Sequence, residues 1–281
     1  FNQMPDLLFG NPNILWKRNP NGLETHVNRR MNVWGSGGAH SLYFRKIDEI
    51  ITHIFNQPLD EQPIGIADMG CGDGTLLKHL FEVVKNKTER GKHLDLYPLK
   101  IIGADFNKAA RLASSITLQE AKIEHSILNG DISNPADYAE NLKQEYGLDL
   151  HKMLNVRSFL DHNRIYSPPK TPFHNTICNS TGAFAFRGRW VPGKELKQNL
   201  IEHFRSWHDY VSKYGLLILE LHTIPPEVTA RNLGITVATA YDGTHGFSDQ
   251  YIIEVDSMLD AADEAGLAPD PKYQARFPNE E

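Results

Sequence analysis

Cysteine is almost missing: Cys71 and Cys178 are the only two in 281 residues. Two so placed give neither a disulfide framework nor the paired spacing of a zinc site, which points to a reducing, cytoplasmic compartment. Long apolar runs are missing too, and none approaches the ~20 residues that a membrane span needs. No basic tract stands out, and a formal charge of −6 makes a nucleic-acid backbone a poor partner. There is no signal peptide, and a chain that opens on Phe1 rather than Met reads as a domain cut from something longer. What is there, at 40% hydrophobic content, suffices to bury the core of one enlarged domain.

The stretch that organises the rest is Ile64-Gly-Ile-Ala-Asp-Met-Gly-Cys-Gly-Asp-Gly-Thr75. Its apolar start, bounded by Pro63 and by glycines, predicts a buried parallel strand. Gly70, Gly72 and Gly74 let the backbone turn tightly and approach a ligand where a Cβ would clash. From Thr75 to Val84 apolar residues recur at helical spacing, so the turn opens onto a helix N-terminus. A glycine-rich turn alone does not choose between nicotinamide, flavin and S-adenosylmethionine (SAM). The acids choose. Asp68 precedes the first glycine and Asp73 sits inside the turn, so an anionic pyrophosphate would be repelled and the sulfonium and ammonium of SAM attracted.

Two further strands end in acids. Residues 99–105 read as the second strand, with Asp105 placed to accept from both ribose hydroxyls and Phe106 beside it. Asn107 is the expected N-cap of a helix to about residue 120. Residues 123–128 form the third strand, followed by Asp131 for the adenine amine and Ile132 against the ring. Asp-x-Gly-x-Gly-x-Gly with these acids resembles the class I SAM-dependent methyltransferases, which implies an α/β, Rossmann-like core. The expected organisation is an N-terminal helical lid over 1–60 and a core over 61–281, with an insertion at 165–193 after strand four. In the lid, a helix over 39–56 carries an apolar stripe. Trp34, His40 and Tyr43 either line the mouth of the site or pack the lid on the core.

The remaining pattern predicts a helix over 134–144, a fourth strand over 148–156, a helix over 194–214 and a fifth strand over 216–222. A helix over 258–265 ending at Gly266 follows, with one more strand candidate at 272–277. Asp161-His162-Asn163 follows strand four. Amino-methyltransferases of nucleic acids carry an Asn/Asp-Pro-Pro-aromatic run there, so that substrate class is disfavoured. His222 leaves the tip of strand five, and the glycine-bracketed loop beginning at Tyr241 brings His245 and Gln250 together. Imidazole and amide oxygen suit a divalent iron or manganese ion with open positions for a chelating substrate. A lone loop histidine is more often a surface or capping residue. His222, His162 and Tyr241 are the candidate catalytic side chains.

The runs Trp34-Gly-Ser-Gly-Gly-Ala-His40, Asp68-Met-Gly-Cys-Gly-Asp-Gly74 and Thr244-His-Gly-Phe-Ser-Asp-Gln250 together resemble one family. It is that of the C-methyltransferase domains of modular polyketide synthases, particularly the mononuclear-metal-dependent type of the apratoxin A loading module. The resemblance spans nearly the whole chain. It implies methylation at the α-carbon of a malonyl-type acyl group on the phosphopantetheine of an acyl carrier protein, among neighbouring synthase domains. It also implies one metal near the sulfonium, for which His245 and Gln250 are the candidates, and leaves open a coupled decarboxylation. A metal-free C- or O-methyltransferase using His222 with Glu220 or Asp161 is the main alternative. A nicotinamide enzyme and a non-catalytic SAM-binding module are the others.

Overall fold

The structure is a computed structural model that describes residues 4–20, 43–235 and 250–276. Helix α1 (Met4–Phe9) and a 3-10 turn at Pro12–Trp16 precede α2 (Asp48–Ile54), β1 (Gly65–Met69), α3 (Thr75–Lys87) and β2 (Lys100–Ala104). Then come α4 (Lys108–Glu120), β3 (His125–Leu128), α5 (Pro135–Tyr146) and β4 (Met153–Ser158). A hairpin of β5 (Phe184–Phe186) and β6 (Arg189–Val191) leads into α6 (Gly193–Val211), β7 (Leu216–Leu219), α7 (Pro226–Arg231) and α8 (Val255–Glu264).

Five strands make one parallel sheet in the order β3-β2-β1-β4-β7. The chain starts at the centre, runs outward to β3, then crosses back to β4. The direction therefore reverses between β1 and β4, and ligands of open α/β sheets bind outside the strand carboxyl ends at such a switch point. Every residue of β1 is buried, as a central parallel strand requires. Its side chains alternate between two cores. Ile66 joins Leu77, Leu80 and Val84 of α3, with Ile51 and Phe55 from α2 and its end. Ala67 and Met69 join Tyr138 and Leu142 of α5 and Trp207 of α6 on the other face. A third cluster packs α8 on α6 through Leu200, Phe204, Met258 and Ala261.

The α/β architecture and the class I SAM-methyltransferase core expected from the motifs are present. Asn107 caps α4 and Asn134 caps α5 through their side-chain oxygens, and Gly266, at φ +86°, follows the end of α8. The helix expected over 39–56 is present in its described part as a 3-10 turn at Arg45–Ile47 that runs into α2. Strand four starts later than 148, because Asp149 caps a 3-10 turn at Leu150–Lys152 first. The insertion holds the β5–β6 hairpin. Residues 272–277 are not the strand expected. Pro271 opens a 3-10 turn, Pro271–Tyr273, the Tyr273 ring packs 5.8 Å from that of His53, and 274–276 join no ladder.

Trp207 ties the second core together. It is fully buried, its indole N–H donates to the Ile132 carbonyl at 2.8 Å, and its ring lies beside Tyr138. Trp207→Ala should destabilise the fold by about 3–5 kcal/mol, measured as a lower urea midpoint with an unchanged slope.

Candidate active site

The glycine turn after β1 has the backbone its composition calls for. Gly70, Gly72 and Gly74 all lie at positive φ, +81°, +55° and +81°, where an L side chain is strained. A Cβ at Gly70 would stand 2.7 Å from Leu160 Cδ2, and one at Gly74 would stand 2.7 Å from Ser114 Oγ. The turn hangs from the end of β2. The amides of Gly70 and Cys71 donate to the Ala104 carbonyl at 2.7 and 3.1 Å, and Gly72 N donates to Asp105 Oδ2 at 3.2 Å. Asp105 Oδ1 accepts from Asn107 N at 2.7 Å, so this acid orders both the turn and the start of α4.

The other predicted cofactor acids take different stations. Asp73 Oδ1 accepts from Thr75 N at 3.0 Å, closing the start of α3. Asp131 Oδ1 accepts from Ser133 N and Oγ at 2.8 and 2.7 Å, while Ile132 is buried beside it. Phe106 stands 56% exposed at the tip of β2. Asp68 is fully buried, and neither carboxylate oxygen has a hydrogen-bond partner among the described residues. Burial, and then the charge of Asp105, pushes its carboxyl well above the usual range. An orphaned acceptor under an open glycine turn suits a cationic ligand. One staple was not foreseen: Arg111 Nη1 donates to the carbonyls of Asp105 and Phe106 and to Asn129 Oδ1 at 2.7 to 2.9 Å, joining the tips of β2 and β3.

Across the switch point, β4 and β7 bring together two residues 58 apart in sequence. His162 Nδ1 lies 2.7 Å from Glu220 Oε1, and the His162 amide donates to Glu220 Oε2 at 3.1 Å. Their side chains are 6% and 4% exposed. Giving Nδ1–H to the carboxylate fixes the orientation of the ring. The expected pairing of His222 with Glu220 or Asp161 is not found. Glu220 serves His162, and His222 Nδ1 donates instead to the Ile253 carbonyl at 3.1 Å. Burial lowers the His222 pKa. Gln250 Nε2 donates to Asn163 Oδ1 at 2.8 Å, which places Gln250 beside the His162 turn. Tyr241, His245, Trp34 and His40 lie outside the described residues. Tyr43 is described, its ring edge-on to Phe159 at 6.0 Å. Among the described residues no three His, Cys, Asp or Glu side chains gather as a metal site.

Beneath this dyad is an ionic cluster that sequence reasoning missed. Arg157 Nη1 donates to Asp161 Oδ1 at 2.8 Å, and His203 Nε2 lies 2.8 Å from the same oxygen. Arg164 Nε donates to the Asp161 carbonyl at 3.0 Å. The Arg157 guanidinium carbon lies 4.0 Å from the centre of the Trp207 ring. Burial alone would raise the Asp161 carboxyl, but Arg157 and then His203 pull it well below the carboxylate range. His203 is pushed down to about 3, chiefly by burial and then by the charge of Arg164. It is neutral in the fold and donates to Asp161. The available signal was an arginine inside an apolar strand with an aspartate four residues on.

A family model described as an AprA MT2-like domain matches residues 24–281. No curated protein matches the chain. Among solved structures, an O-methyltransferase family protein from Burkholderia thailandensis is similar at 12% identity and a TM-score of 0.42, over 83% of this chain and 53% of its own. The chain thus spans about half the length of that protein. The plantazolicin methyltransferase BpumL, in complex with a monoazolic desmethylPZN analog and SAH, is similar at 12% identity and TM-score 0.41, over 84% of this chain and 67% of its own. Loganic acid methyltransferase with SAH is similar at 14% identity and TM-score 0.45, over 81% and 71%.

The buried cluster predicts an acid-sensitive fold. His203 ordinarily titrates near 6.5 but is held down to about 3 in the folded chain. The unfolded chain therefore binds the extra proton first, and stability falls as pH drops from about 6.5 towards about 3. The depressed Asp161 adds a loss below the ordinary carboxylate range. Urea midpoints measured down this window should fall with pH, and His203→Gln, which keeps a donor for Asp161, should flatten the slope.

Proposed function

The chain belongs to the AprA MT2-like family of SAM-dependent methyltransferase domains, and from that membership we propose that it methylates the α-carbon of a malonyl-type acyl group carried on an acyl carrier protein. The observation that carries this reading is the buried His162–Glu220 pair at the carboxyl edge of β4 and β7, across the switch point from the glycine turn. Carbon methylation needs a carbanion equivalent, and an α-carbon beside a thioester gives up its proton only to a positioned base.

The residues divide the work as follows. Asp105 and the amides of the glycine turn hold the ribose end of SAM, Asp131, Ile132 and Phe106 hold the adenine, and Asp68 faces the cationic methionine end with Asp73 at the turn. SAM supplies the methyl group. His162 Nε2 takes the α-proton. Glu220 fixes the ring through Nδ1 and stabilises the imidazolium that results, as a carboxylate does for any histidine base in a water-poor site. His245 and Gln250 are the candidate ligands of a divalent iron or manganese ion, which would act as a Lewis acid toward the thioester enolate. Gln250 has its amide nitrogen committed to Asn163, so its carbonyl oxygen is the ligand atom it has to offer.

His162–Glu220 also supports a second reading, in which the chain is a metal-free C- or O-methyltransferase on another carrier-bound or small-molecule substrate. Mass spectrometry of malonyl- and methylmalonyl-loaded carrier protein, incubated with SAM with and without chelator, separates the two. The expected result is a gain of one methyl that chelation stops; loss of carbon dioxide alongside it identifies a coupled decarboxylation. Methylation that survives chelation favours the histidine-only reading, and no gain on either acyl carrier sinks the malonyl reading. His162→Ala should lower kcat roughly 10²–10⁴-fold while SAM affinity, read by calorimetry, stays within about twofold. Wild-type turnover in that variant would remove His162 from the chemistry. His245→Ala should lose bound metal with SAM affinity retained, and unchanged metal content would remove that ligand.

A further inference from the structure

The insertion between β4 and α6 differs in charge from the rest of the chain. Residues 159–192 carry Arg164, Lys170, Arg187 and Arg189 against a single acid, Asp161, and Lys194 follows in the first turn of α6, in a protein of net charge −6. Two of the five are committed inward. Arg164 donates to the Asp161 carbonyl and to Asn199, and Arg189 forks onto Glu195 at 2.8 and 3.2 Å. Arg187 is engaged as well, its guanidinium carbon 4.9 Å from the centre of the Phe186 ring, although it and Lys170 are exposed; Lys194 is half-buried at the start of α6.

Apolar surface accompanies the charge. In the β5–β6 hairpin Phe184 pairs with Val191 and both are buried, while Ala185 pairs with Trp190 and both face out. Trp190 is 69% exposed, and Ile177 is 75% exposed. Ile177 is fixed beside the first turns of α6, since its carbonyl accepts Lys197 Nζ at 2.8 Å. An exposed indole flanked by cations is the composition of an interface anchor, in which aromatic and arginine side chains carry the energy and charge gives the orientation.

The same hairpin is tied to the dyad. Tyr251 N donates to the His162 carbonyl at 2.8 Å, and its hydroxyl donates to the Ala185 carbonyl at 3.2 Å. The Tyr166 ring lies 5.2 Å from Phe186 and 5.4 Å from Tyr251. The outer face of the hairpin is therefore one residue pair away from the turn that bears His162.

We infer that Arg187 in the turn of the β5–β6 hairpin, Trp190 on its outer face and Lys194 at the start of α6 form the docking surface for an acidic protein partner whose tethered acyl chain enters beside His162. This rests on the proposed function, under which that partner is the carrier. Positive charge opposite an acidic surface speeds encounter and sets orientation, and its effect is screened by salt.

The test titrates a phosphopantetheinylated acyl carrier protein, without acyl group, into the wild type, Arg187→Glu/Lys194→Glu and Trp190→Ala, by calorimetry at two salt concentrations. Arg187 and Trp190 are exposed, Lys194 is half-buried, and none of them belongs to a core cluster, so melting temperatures should match the wild type. Binding should weaken roughly tenfold in each variant and fall with salt in the wild type. In turnover, KM for malonyl-carrier should rise by a similar factor, while kcat and KM for malonyl-pantetheine stay unchanged. Equal binding by all three proteins overturns the inference. So does equally tight binding of a single-stranded RNA, or self-association of the chain that the same variants abolish. Carrier binding needs no turnover: variant-sensitive binding with no methylation of malonyl-carrier overturns only the substrate reading, and methylation with variant-insensitive binding overturns only the docking surface.

Discussion

The Arg157–Asp161 ion pair closes the tip of β4 with side chains 1% and 2% exposed, and the arrangement of the catalytic edge depends on it. Removing two charges from water costs several kcal/mol each, and one 2.8 Å contact does not offset that alone. The rest comes from the neighbours: the His203 donor, the Arg164 contact to the Asp161 backbone and the Trp207 ring under the guanidinium. Even so, Arg157 Nε and Nη2 and Asp161 Oδ2 have no hydrogen-bond partner among the described residues. Apolar packing would be the cheaper solution for stability alone. What the pair adds is position. Asp161 opens the short 3-10 turn whose next residue is His162, so fixing one carboxylate fixes where the imidazole leaves the backbone.

The two sides of the switch point solve opposite electrostatic problems. Around β4 and β7, Arg157 and Arg164 balance Asp161 and Glu220, and burial holds His203 and His222 towards the neutral form. Around β1 and β2, Asp68 and Asp105 lie near enough for one to raise the pKa of the other, with no cation supplied by the described chain to Asp68. Two acids left in that state are a standing penalty, relieved by a ligand that brings a positive charge. Arg111 serves the carbonyls at the tips of β2 and β3, while the orphaned Asp68 carboxylate is left to a ligand.

Much of this was legible because local pattern decides it. The Ile64–Thr75 run sets strand, turn and helix by glycine spacing and apolar period, and all three glycines adopt positive φ. Asn107 and Asn134 declare the starts of α4 and α5 because a side-chain cap acts within three residues. Pairing across the sheet was not legible. Glu220 is 58 residues from His162, and His222, nearer in sequence, points to the Ile253 carbonyl instead. The strand expected at 272–277 failed for the converse reason. A short alternation reads as a strand, but Pro271 lacks an amide donor and Tyr273 found an aromatic partner in His53.

Under the proposed function, the choice of His162 over His222 as base rests on what each ring nitrogen faces. Both donate from Nδ1, so both offer Nε2, and the difference lies in the acceptor behind. His162 is backed by a carboxylate, His222 by a peptide carbonyl. When a proton arrives, a carboxylate meets the imidazolium with a full opposite charge, whereas a carbonyl offers only a dipole. In a buried site that difference is felt strongly, since little solvent is present to replace it. His222 instead shows the cost of lacking such a partner, its pKa drawn down by burial with only partial compensation from Ile253 and the more distant Glu220. Glu220 already takes the His162 ring, the His162 amide and the Leu221 amide on its two oxygens, and reaches His222 only through its charge. The geometry therefore commits its one buried carboxylate at the tip of β7 to His162, and leaves His222 to shape the cleft as a neutral side chain.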